Sequence, residues 1–510
     1  MSLSVFLLWL VSIPLLVQSQ PVPKGFLLSC GSPSVVTLGN LKYTPDEGFV
    51  SVGNSAAVKT SGVLPILSNV RYFPDKVARK YCYNFPVSKG TKYLVRTTYY
   101  YGGFDGGKEP PVFDQIIGGT KWSTVNTTTD YANGLSSYYE VIVAAAGKIL
   151  SVCLARNSRT VSSPFISAIE VQFLDDYVYN STDFENYALS VVARSTFGSD
   201  EDLISYPDDP YNRFWQPFRD QNPVVENKSS VNPSDFWNVP PVKAFASGIT
   251  TSRGKKLEVK WPLVSLPSTK YYISLYFQDN RSPSPFSWRV FSVSVNGMNF
   301  YTDLNVTHKG IMVYSAKWPL SGQTVITMTP NSNSPVGPLI NAAEILQIFP
   351  LGGRTNTRDV MAMEDLARKI DHLPSDWSGD PCLPTENSWT GVTCSKDKLA
   401  RVVSLDLTNL GLTGALPPSI NNLSALTHLW VGGNRLSGPL PDMSSLKKLR
   451  TLHLENNQFT ESIPASLTQL PELHELFLQN NKLEGQVPTA LQQKSGLKIK
   501  VSPENSASAW

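Results

Sequence analysis

The amino-acid sequence predicts a mainly β protein, with two β-sandwiches in tandem followed by a short solenoid of sequence repeats. Two observations carry this prediction. Short runs rich in β-branched and aromatic residues alternate with Gly, Pro, Asn and Ser clusters between about residues 25 and 350, and a leucine pattern then recurs at a fixed period. The long helical patterns that would connect parallel strands are missing from the first region, so we expect antiparallel sheets there.

The sandwich region divides into two similar halves. Strand-like runs such as Tyr138–Ala144 and Arg289–Val295 occur in both. The segment Phe165-Ile-Ser-Ala-Ile-Glu-Val also resembles Leu339-Ile-Asn-Ala-Ala-Glu-Ile, and each segment closes its half. We therefore predict one sandwich over residues 25–175 and a second over residues 190–350.

The repeats form a leucine-rich solenoid over residues 401–497, with a tail at residues 498–510. Leu426, Leu449 and Leu473 open three copies of Leu-x-x-Leu-x-Leu-x-x-Asn, spaced 23 and 24 residues apart, and Val402 opens an earlier copy. That spacing lies inside the window of leucine-rich repeats, about 20 to 29 residues. Side chains alternate along a strand, so the leucines point into the core while the residues between them face outward.

A cap is expected at residues 358–400, because the first repeat of a solenoid exposes core that internal repeats bury against each other. Apolar residues at three- and four-residue steps predict a helix from Arg358 to Ile370. A Cys382–Cys394 disulfide would close the open end just before the first repeat. The pairing of the other three cysteines, Cys30, Cys82 and Cys153, stays open, and their odd number means that at least one is a buried thiol or pairs between chains.

The first 19 residues read as a secretory signal peptide, with an apolar run from Val5 to Val17. Later segments lack the run of about 18 apolar residues that crosses a bilayer. Asn-x-Ser/Thr sequons fit a secreted glycoprotein and stand at Asn126, Asn180, Asn227, Asn280, Asn305 and Asn422. The expected location is the apoplast or cell wall, with attachment to the cell surface through a membrane partner as an alternative.

Several motifs together resemble the plant malectin-like domain. They are Arg71-Tyr-Phe-Pro, Tyr81-Cys-Tyr, Tyr93-Leu-Val-Arg, Tyr101-Gly-Gly-Phe-Asp-Gly and Pro164-Phe-Ile-Ser-Ala-Ile-Glu. Gly379-Asp-Pro-Cys and the repeats after it resemble the next segment of symbiosis-receptor-like and related leucine-rich-repeat receptor kinases. The resemblance implies a cell-surface recognition ectodomain of two malectin-like β-sandwiches and a short plant-type solenoid. The sequence ends at Trp510 without the membrane helix and kinase of those receptors, so we expect no intrinsic signalling.

Animal malectin binds a glucose disaccharide through loop aromatics and an acidic residue. The resemblance therefore directs attention to Tyr99, Tyr100, Tyr101, Phe104 and Asp105 as ligand-binding residues. Sugar faces stack on aromatic rings, and carboxylates accept hydrogen bonds from hydroxyl groups. Core packing is the alternative role for these rings. Plant malectin-like domains also bind peptides or proteins, so the ligand class stays open.

The concave face of the solenoid offers a second candidate site. Its central outward column reads Asp406, Trp430, His453 and Phe477, and we add His428, Glu455 and Glu475 beside it. Exposed Trp and Phe in one column are typical of contacts with a protein partner. The column could instead pack on the neighbouring sandwich or remain idle surface.

Composition and motifs exclude several function classes. A net charge of +3 with 17% charged residues gives no basic field for nucleic acid. Catalytic, metal or cofactor motifs are not found, although Glu140, Glu170 and Glu344 lie in strand-like runs. The sequence therefore predicts a non-enzymatic extracellular recognition protein whose partner is a receptor ectodomain, a signalling peptide or a cell-wall glycan. The alternatives are a cell-wall structural or inhibitor protein of the leucine-rich-repeat type and, more remotely, a wall-polysaccharide hydrolase.

Overall fold

The computed structural model describes residues 24–107, 109–200 and 203–501. The predicted signal peptide lies outside the described residues, as does the tail beyond residue 501. Within the described part of the chain, no helix is long and apolar enough to cross a membrane.

The first half of the sandwich region consists of short strands, one short helix and a 3-10 turn at Pro65–Leu67. The helix is α1, Thr128–Ala132. In chain order the strands are β1 Gly25–Ser29, β2 Val36–Leu38, β3 Leu41–Pro45, β4 Asn54–Ala57, β5 Asn69–Tyr72, β6 Tyr81–Pro86, β7 Lys92–Tyr99, β8 Phe113–Ile117, β9 Thr120–Val125, β10 Ser137–Ala144, β11 Ile149–Arg156, β12 Phe165–Ile166 and β13 Ala168–Leu174.

The second half repeats this arrangement with longer strands, and its 3-10 turns fall at Pro233–Asp235 and Val242–Phe245. In chain order its strands are β14 Tyr187–Phe197, β15 Gln216–Phe218, β16 Val224–Glu226, β17 Ser247–Thr250, β18 Leu257–Lys260, β19 Leu266–Phe277, β20 Trp288–Val295, β21 Met298–Thr307, β22 Ile311–Gly322, β23 Val325–Pro330, β24 Leu339–Ile340 and β25 Ala342–Pro350.

The two sandwiches share one sheet, which the sequence did not indicate. Its strand order is β2-β3-β1-β13-β7-β10-β14-β25-β19-β22, and β15 pairs with β14. The junction is the antiparallel pairing of β10 with β14, where Val141 faces Ser190 and Ile142 faces Leu189. A separate sheet, β6-β11-β8-β9, packs over the first half, and β18-β23-β20-β21 packs over the second.

Side-chain alternation explains why these segments form strands. In β20, Phe291, Val293 and Val295 are fully buried, while the intervening residues are partly exposed. This is the period of two expected for a strand with one face on a core. Strand β7 is buried along its whole length, because both of its faces are covered in the shared sheet.

The cap and solenoid follow the sandwiches, with 3-10 turns at Thr385–Asn387, Pro418–Asn422 and Ala465–Gln469. Helix α2 spans Thr357–Lys369 and helix α3 spans Thr489–Gln492. The strands are β26 Arg354–Thr355, β27 Ile370–Asp371, β28 Val392–Cys394, β29 Leu399–Ala400, β30 Val402–Asp406, β31 Thr413–Gly414, β32 His428–Trp430, β33 Arg435–Pro439, β34 Thr451–His453, β35 Gln458–Thr460, β36 Glu475–Phe477 and β37 Lys498–Lys500.

Helix α2 confirms the helix predicted in the cap. The side chain of Asn356 caps it by accepting a hydrogen bond from the backbone N–H of Arg358. Ala362, Met363 and Leu366 are fully buried and belong to the same apolar core as the leucines of the repeats. The helix thus covers the end of the solenoid, which is the role predicted for the cap.

Two disulfides and one free thiol account for the five cysteines. The Cys382–Cys394 bridge forms as predicted. The structure also resolves the open pairing, because Cys82 bonds to Cys153 across strands β6 and β11 and leaves Cys30 as a buried thiol.

The cap docks on the first sandwich through the Gly379-Asp-Pro-Cys382 segment. A Cβ atom at Gly379 would lie 2.7 Å from Cys82 Sγ, so the backbone there rests directly on the Cys82–Cys153 disulfide. The buried Lys80 ammonium donates to the carbonyl oxygens of Asp380, at 2.5 Å, and of Leu383, at 3.0 Å. These contacts fix the solenoid to the first sandwich.

Candidate functional site

The concave sheet of the solenoid has the register that the repeat pattern predicts. Its strand order is β28-β30-β32-β34-β36-β37, and the strands from β30 onward are parallel. In the register of neighbouring strands, Asp406 lies beside Trp430, Trp430 beside His453, and His453 beside Phe477. The central column is therefore continuous, because equivalent positions of successive repeats stack side by side.

The aromatic rings of this column form a stack, which we call the ring ladder: Trp430, His453 and Phe477. The His453 and Phe477 ring centroids are 4.4 Å apart, with an interplanar angle of 14°. The Trp430 and His453 centroids are 5.5 Å apart at 21°. Each ring is partly exposed, so the stack leaves the ring edges open to a partner on the concave side.

Strand β37 extends the central column of the concave face beyond its predicted end. Lys500 continues the column, and its Nζ lies 4.7 Å from the Phe477 ring centroid. The neighbouring Lys498 ammonium lies 5.1 Å from that centroid. The boundary between repeats and tail, predicted at residues 497 and 498, therefore has to be corrected. The 23-residue period carries this signal, since it places Ile499 and Val501 at the positions of Leu476 and Leu478.

Charged groups surround the ring ladder. The Glu475 carboxylate accepts a hydrogen bond from Lys498 Nζ at 2.9 Å and lies 3.2 Å from His453 Nε2. Both contacts lower the pKa of this carboxyl, and the contact with Lys498 has the larger effect. The Asp406 carboxylate is exposed and accepts from the backbone N–H of Thr408.

Two further predicted residues, Glu455 and His428, also lie beside the ladder. The Glu455 carboxylate lies against Gly432, where a Cβ atom would stand 2.7 Å from its Oε1. The His428 ring meets the Trp430 ring edge to face at 5.5 Å, and burial and Arg450 lower the pKa of His428. The structure thus brings together all seven residues predicted for the concave face.

The Asn residues of the repeats hold the backbone of the solenoid, as the repeat pattern predicts. Asn457 donates to the carbonyl oxygens of Val431 and Leu454 and accepts from the N–H of Leu436 at 3.0 Å. Asn434 and Asn481 occupy equivalent positions in their repeats. These bonds make the surface that carries the ring ladder rigid.

The predicted sandwich loop separates into buried and accessible residues. Tyr99, Tyr100 and Tyr101 are at most 5% exposed, so the structure corrects the expectation of direct ligand contact and places these rings in the core. Phe104 is half-buried and Asp105 is exposed. The Asp105 carboxylate accepts from the Tyr101 hydroxyl at 2.5 Å and from the N–H of Gly107. Ligand binding by Phe104 and Asp105 stays a prediction.

The three strand carboxylates considered for glycoside hydrolysis are bound to arginines in the interior. Arg96 donates to Glu140 at 2.5 Å and to Glu170 at 2.8 Å, and Arg194 donates to Glu140 at 2.6 Å and to Glu344 at 2.7 Å. All five side chains are at most 2% exposed. Substrate cannot reach these carboxylates in this fold, so they are structural residues.

The sequons differ in accessibility. The side chains of Asn126, Asn180, Asn305 and Asn422 are exposed. The Asn227 amide instead donates to Gln278 Oε1 at 2.5 Å, and the Asn280 amide oxygen accepts from Arg289 at 2.7 Å. A glycan is attached to the amide nitrogen, so glycosylation would compete with the Asn227 hydrogen bond, whereas the bond to Asn280 uses the amide oxygen.

Comparison with known proteins identifies both parts of the chain. Residues 28–348 match the malectin-like domain, and residues 447–489 match the leucine-rich repeats. A leucine-rich repeat receptor-like serine/threonine-protein kinase of Arabidopsis thaliana is 32% identical over 439 residues, which cover 81% of this chain and 49% of the kinase. A probable LRR receptor-like serine/threonine-protein kinase of the same plant is 33% identical over 426 residues, which cover 75% of this chain and 42% of that protein. The chain spans about half the length of these relatives.

Solved structures show the same fold. The ANX2 ectodomain from Arabidopsis thaliana matches with a TM-score of 0.54 and 15% identity. This match covers 64% of the present chain and 97% of the ANX2 ectodomain. The crystal structure of the plant peptide RALF23 in complex with FER and LLG2 also contains a chain of similar fold, with a TM-score of 0.52 and 19% identity. The match covers 64% of this chain and 96% of that one.

Proposed function

Since the chain belongs to the malectin-like domain family and carries leucine-rich repeats, we propose that it is an extracellular recognition protein for a peptide or protein partner. Its fold is that of malectin-like receptor ectodomains, and one similar solved structure is a peptide–receptor complex. The partner would be a signalling peptide or another receptor ectodomain. We further propose that the protein acts outside the cell, in the apoplast, without catalysis of its own.

The observation that carries this proposal is the ring ladder. Trp430, His453 and Phe477 are partly exposed on a sheet whose backbone is held by buried Asn side chains. Aromatic residues on a rigid surface dominate many protein interfaces, because they remove large apolar areas from water at low entropic cost. Among the described residues, the rings that stack on the ladder belong to the solenoid itself, which favours partner binding over packing on a sandwich.

Charges at the rim would orient the partner. Asp406 and Glu475 lie toward opposite ends of the column, and Lys498 and Lys500 extend past Phe477. Because Lys498 pairs with Glu475, this arrangement gives an acidic end at Asp406 and a basic end beyond Phe477 on one face. Such a pattern sets the direction of a bound chain more than its affinity.

The experiment is a binding screen of the secreted chain against plant signalling peptides, receptor ectodomains and wall oligosaccharides, followed by variants at the ladder. We expect Trp430→Ala and Phe477→Ala each to weaken a polypeptide partner by roughly 30-fold, the effect of losing an interface residue worth about 2 kcal/mol. Biolayer interferometry would measure the dissociation constants.

A matched control is Leu410→Ala, which removes an exposed apolar side chain of the same solenoid outside the ladder. This variant should bind like the wild type. Unchanged binding in both ladder variants, with their thermal unfolding preserved, would reject the concave face as the site. Binding of a wall oligosaccharide without any polypeptide partner would reject the proposed partner class.

A further inference from the structure

Two half-exposed aromatic side chains, Tyr177 and Trp237, border a cleft where the linker between the sandwiches meets the second sandwich. They are 51% and 52% exposed. The cleft encloses about 430 Å³ and is lined by Tyr177, Ser234, Asp235, Phe236, Trp237 and Val239. That volume suits a small group rather than a whole protein surface. Neither aromatic residue belongs to the ring ladder or to the first-sandwich loop.

The loop that presents Trp237 is fixed on both sides by buried residues. Phe236 packs against Phe245 with ring centroids 4.9 Å apart. On the other side, the fully buried Asn238 donates to the Tyr272 hydroxyl at 3.0 Å, and its carbonyl accepts from Arg213 at 2.7 Å. The backbone at Trp237 is therefore fixed while its side chain stays half exposed, and its ring centroid lies 6.1 Å from that of Tyr314. Little backbone freedom is then lost on binding.

One carboxylate, that of Asp235, lines the cleft. Among the described residues it forms no ion pair, and it accepts a hydrogen bond from the Asn232 side-chain amide at 3.2 Å. Asp175 and Asp176 precede Tyr177 in the chain but do not line the cleft, and their charges act on the Lys92 ammonium, which donates to the backbone carbonyl oxygens of Asp176 and Val178. Asp175 accepts from the Tyr177 hydroxyl at 3.2 Å, which orients that ring.

We propose that this cleft binds the guanidinium group of an arginine side chain from a partner polypeptide. A guanidinium is planar and always charged, so it stacks on aromatic faces and pairs with carboxylates at the same time. The Asp235 carboxylate, which has no ion-pair partner among the described residues, favours a cation over a neutral sugar and disfavours anionic wall chains. The proposal rests on the proposed function only in taking the partner to be a polypeptide, because the cleft is separate from the ring ladder.

The test uses the full chain and a defined probe, N-acetyl-Gly-Arg-Gly-amide, with the matched lysine and citrulline peptides. Citrulline keeps the shape of arginine and removes its charge. Saturation-transfer NMR and calorimetry should show at least fivefold tighter binding of the arginine peptide, and the binding should weaken as salt is raised. Trp237→Ala should weaken it roughly tenfold, the size of a partly desolvated cation–π contact. Asp235→Asn should weaken it as well.

Two control variants show whether binding depends on the cleft itself. Phe286→Ala removes a 73% exposed ring that does not line the cleft and should leave binding unchanged. Trp430→Ala should also bind the arginine peptide normally, so failure of the ring ladder and failure of the cleft are distinguishable. Three results would each overturn the proposal: no binding of the arginine peptide, equal binding of the citrulline peptide, or Trp237-dependent binding of cellotetraose alone.

Discussion

The guanidinium of Arg194, in the second sandwich, donates to the carboxylate of Glu140, in the first sandwich, at 2.6 Å. This contact is the centre of an alternating row of buried charges across five adjacent strands, β13, β7, β10, β14 and β25. In that order the residues are Glu170, Arg96, Glu140, Arg194 and Glu344. Strands β10 and β14 share only two residue pairs, so the row supplies side-chain contacts where backbone pairing is short.

Removing the charge of Glu140 should destabilise the whole sandwich pair. Glu140→Gln leaves Arg96 and Arg194 buried with one carboxylate fewer, and breaking a buried ion pair in this way costs about 3–5 kcal/mol. Urea denaturation at pH 7 would measure the loss. The control is Arg450→Gln, which breaks the exposed pair with Glu472 and should cost less than about 1 kcal/mol. Equal effects of the two variants would contradict the role given to the row.

The same carboxylate should make stability depend on pH in acid. Burial acts to raise the pKa of Glu140, but the adjacent Arg96 and Arg194 outweigh it and hold that pKa below its ordinary value of 4.5. As the pH falls, the Glu140 carboxylate is therefore protonated at a higher pH in the unfolded chain than in the folded chain. The stabilisation is complete above about pH 4.5 and is lost as the pH falls through the folded-state pKa.

The stability difference between the wild type and Glu140→Gln should accordingly be constant from pH 7 to about pH 5 and shrink below about pH 4.5. Urea titrations at several pH values would measure this difference. A difference that grows toward acid would contradict the lowered pKa.

Gly379→Ala should weaken the docking of the cap on the first sandwich. The new Cβ would lie 2.7 Å from Cys82 Sγ, and Gly379 has φ +71°. Gly411→Ala is a matched control, because Gly411 has φ +69° and nothing within 4 Å of the Cβ position. The backbone strain of about 1–2 kcal/mol should be common to both variants. Overpacking against the disulfide should add about 1–3 kcal/mol at Gly379 alone. Thermal unfolding would compare the two, and equal melting temperatures would count against the contact.

Asn457→Ala should destabilise the solenoid by about 1–3 kcal/mol or more, because it leaves buried backbone groups of two repeats without hydrogen-bond partners. The neighbouring Gln458→Ala changes an exposed side chain and should have little effect. Denaturant unfolding followed by Trp fluorescence would measure both variants. An unchanged free energy of unfolding in Asn457→Ala would show that these hydrogen bonds are readily replaced by hydrogen bonds to water.

The sequence by itself determined the features that depend on local period. The 23- and 24-residue spacing fixed which side chains of the solenoid point inward, which form the concave column and which Asn residues bond the backbone. Apolar steps of three and four residues likewise located the cap helix. These features were predictable because each follows from the geometry of one strand or helix turn, repeated along the chain.

Only the tertiary structure decided how distant segments meet. The shared sheet, the charge row from Glu170 to Glu344 and the Cys82–Cys153 bridge join residues far apart in the chain, and no periodicity encodes such pairings. Burial of Tyr99, Tyr100 and Tyr101 depends on the elements packed over both faces of their sheet, and a run of three tyrosines does not specify this. The aromatic cleft at Trp237 likewise exists because separate segments converge there.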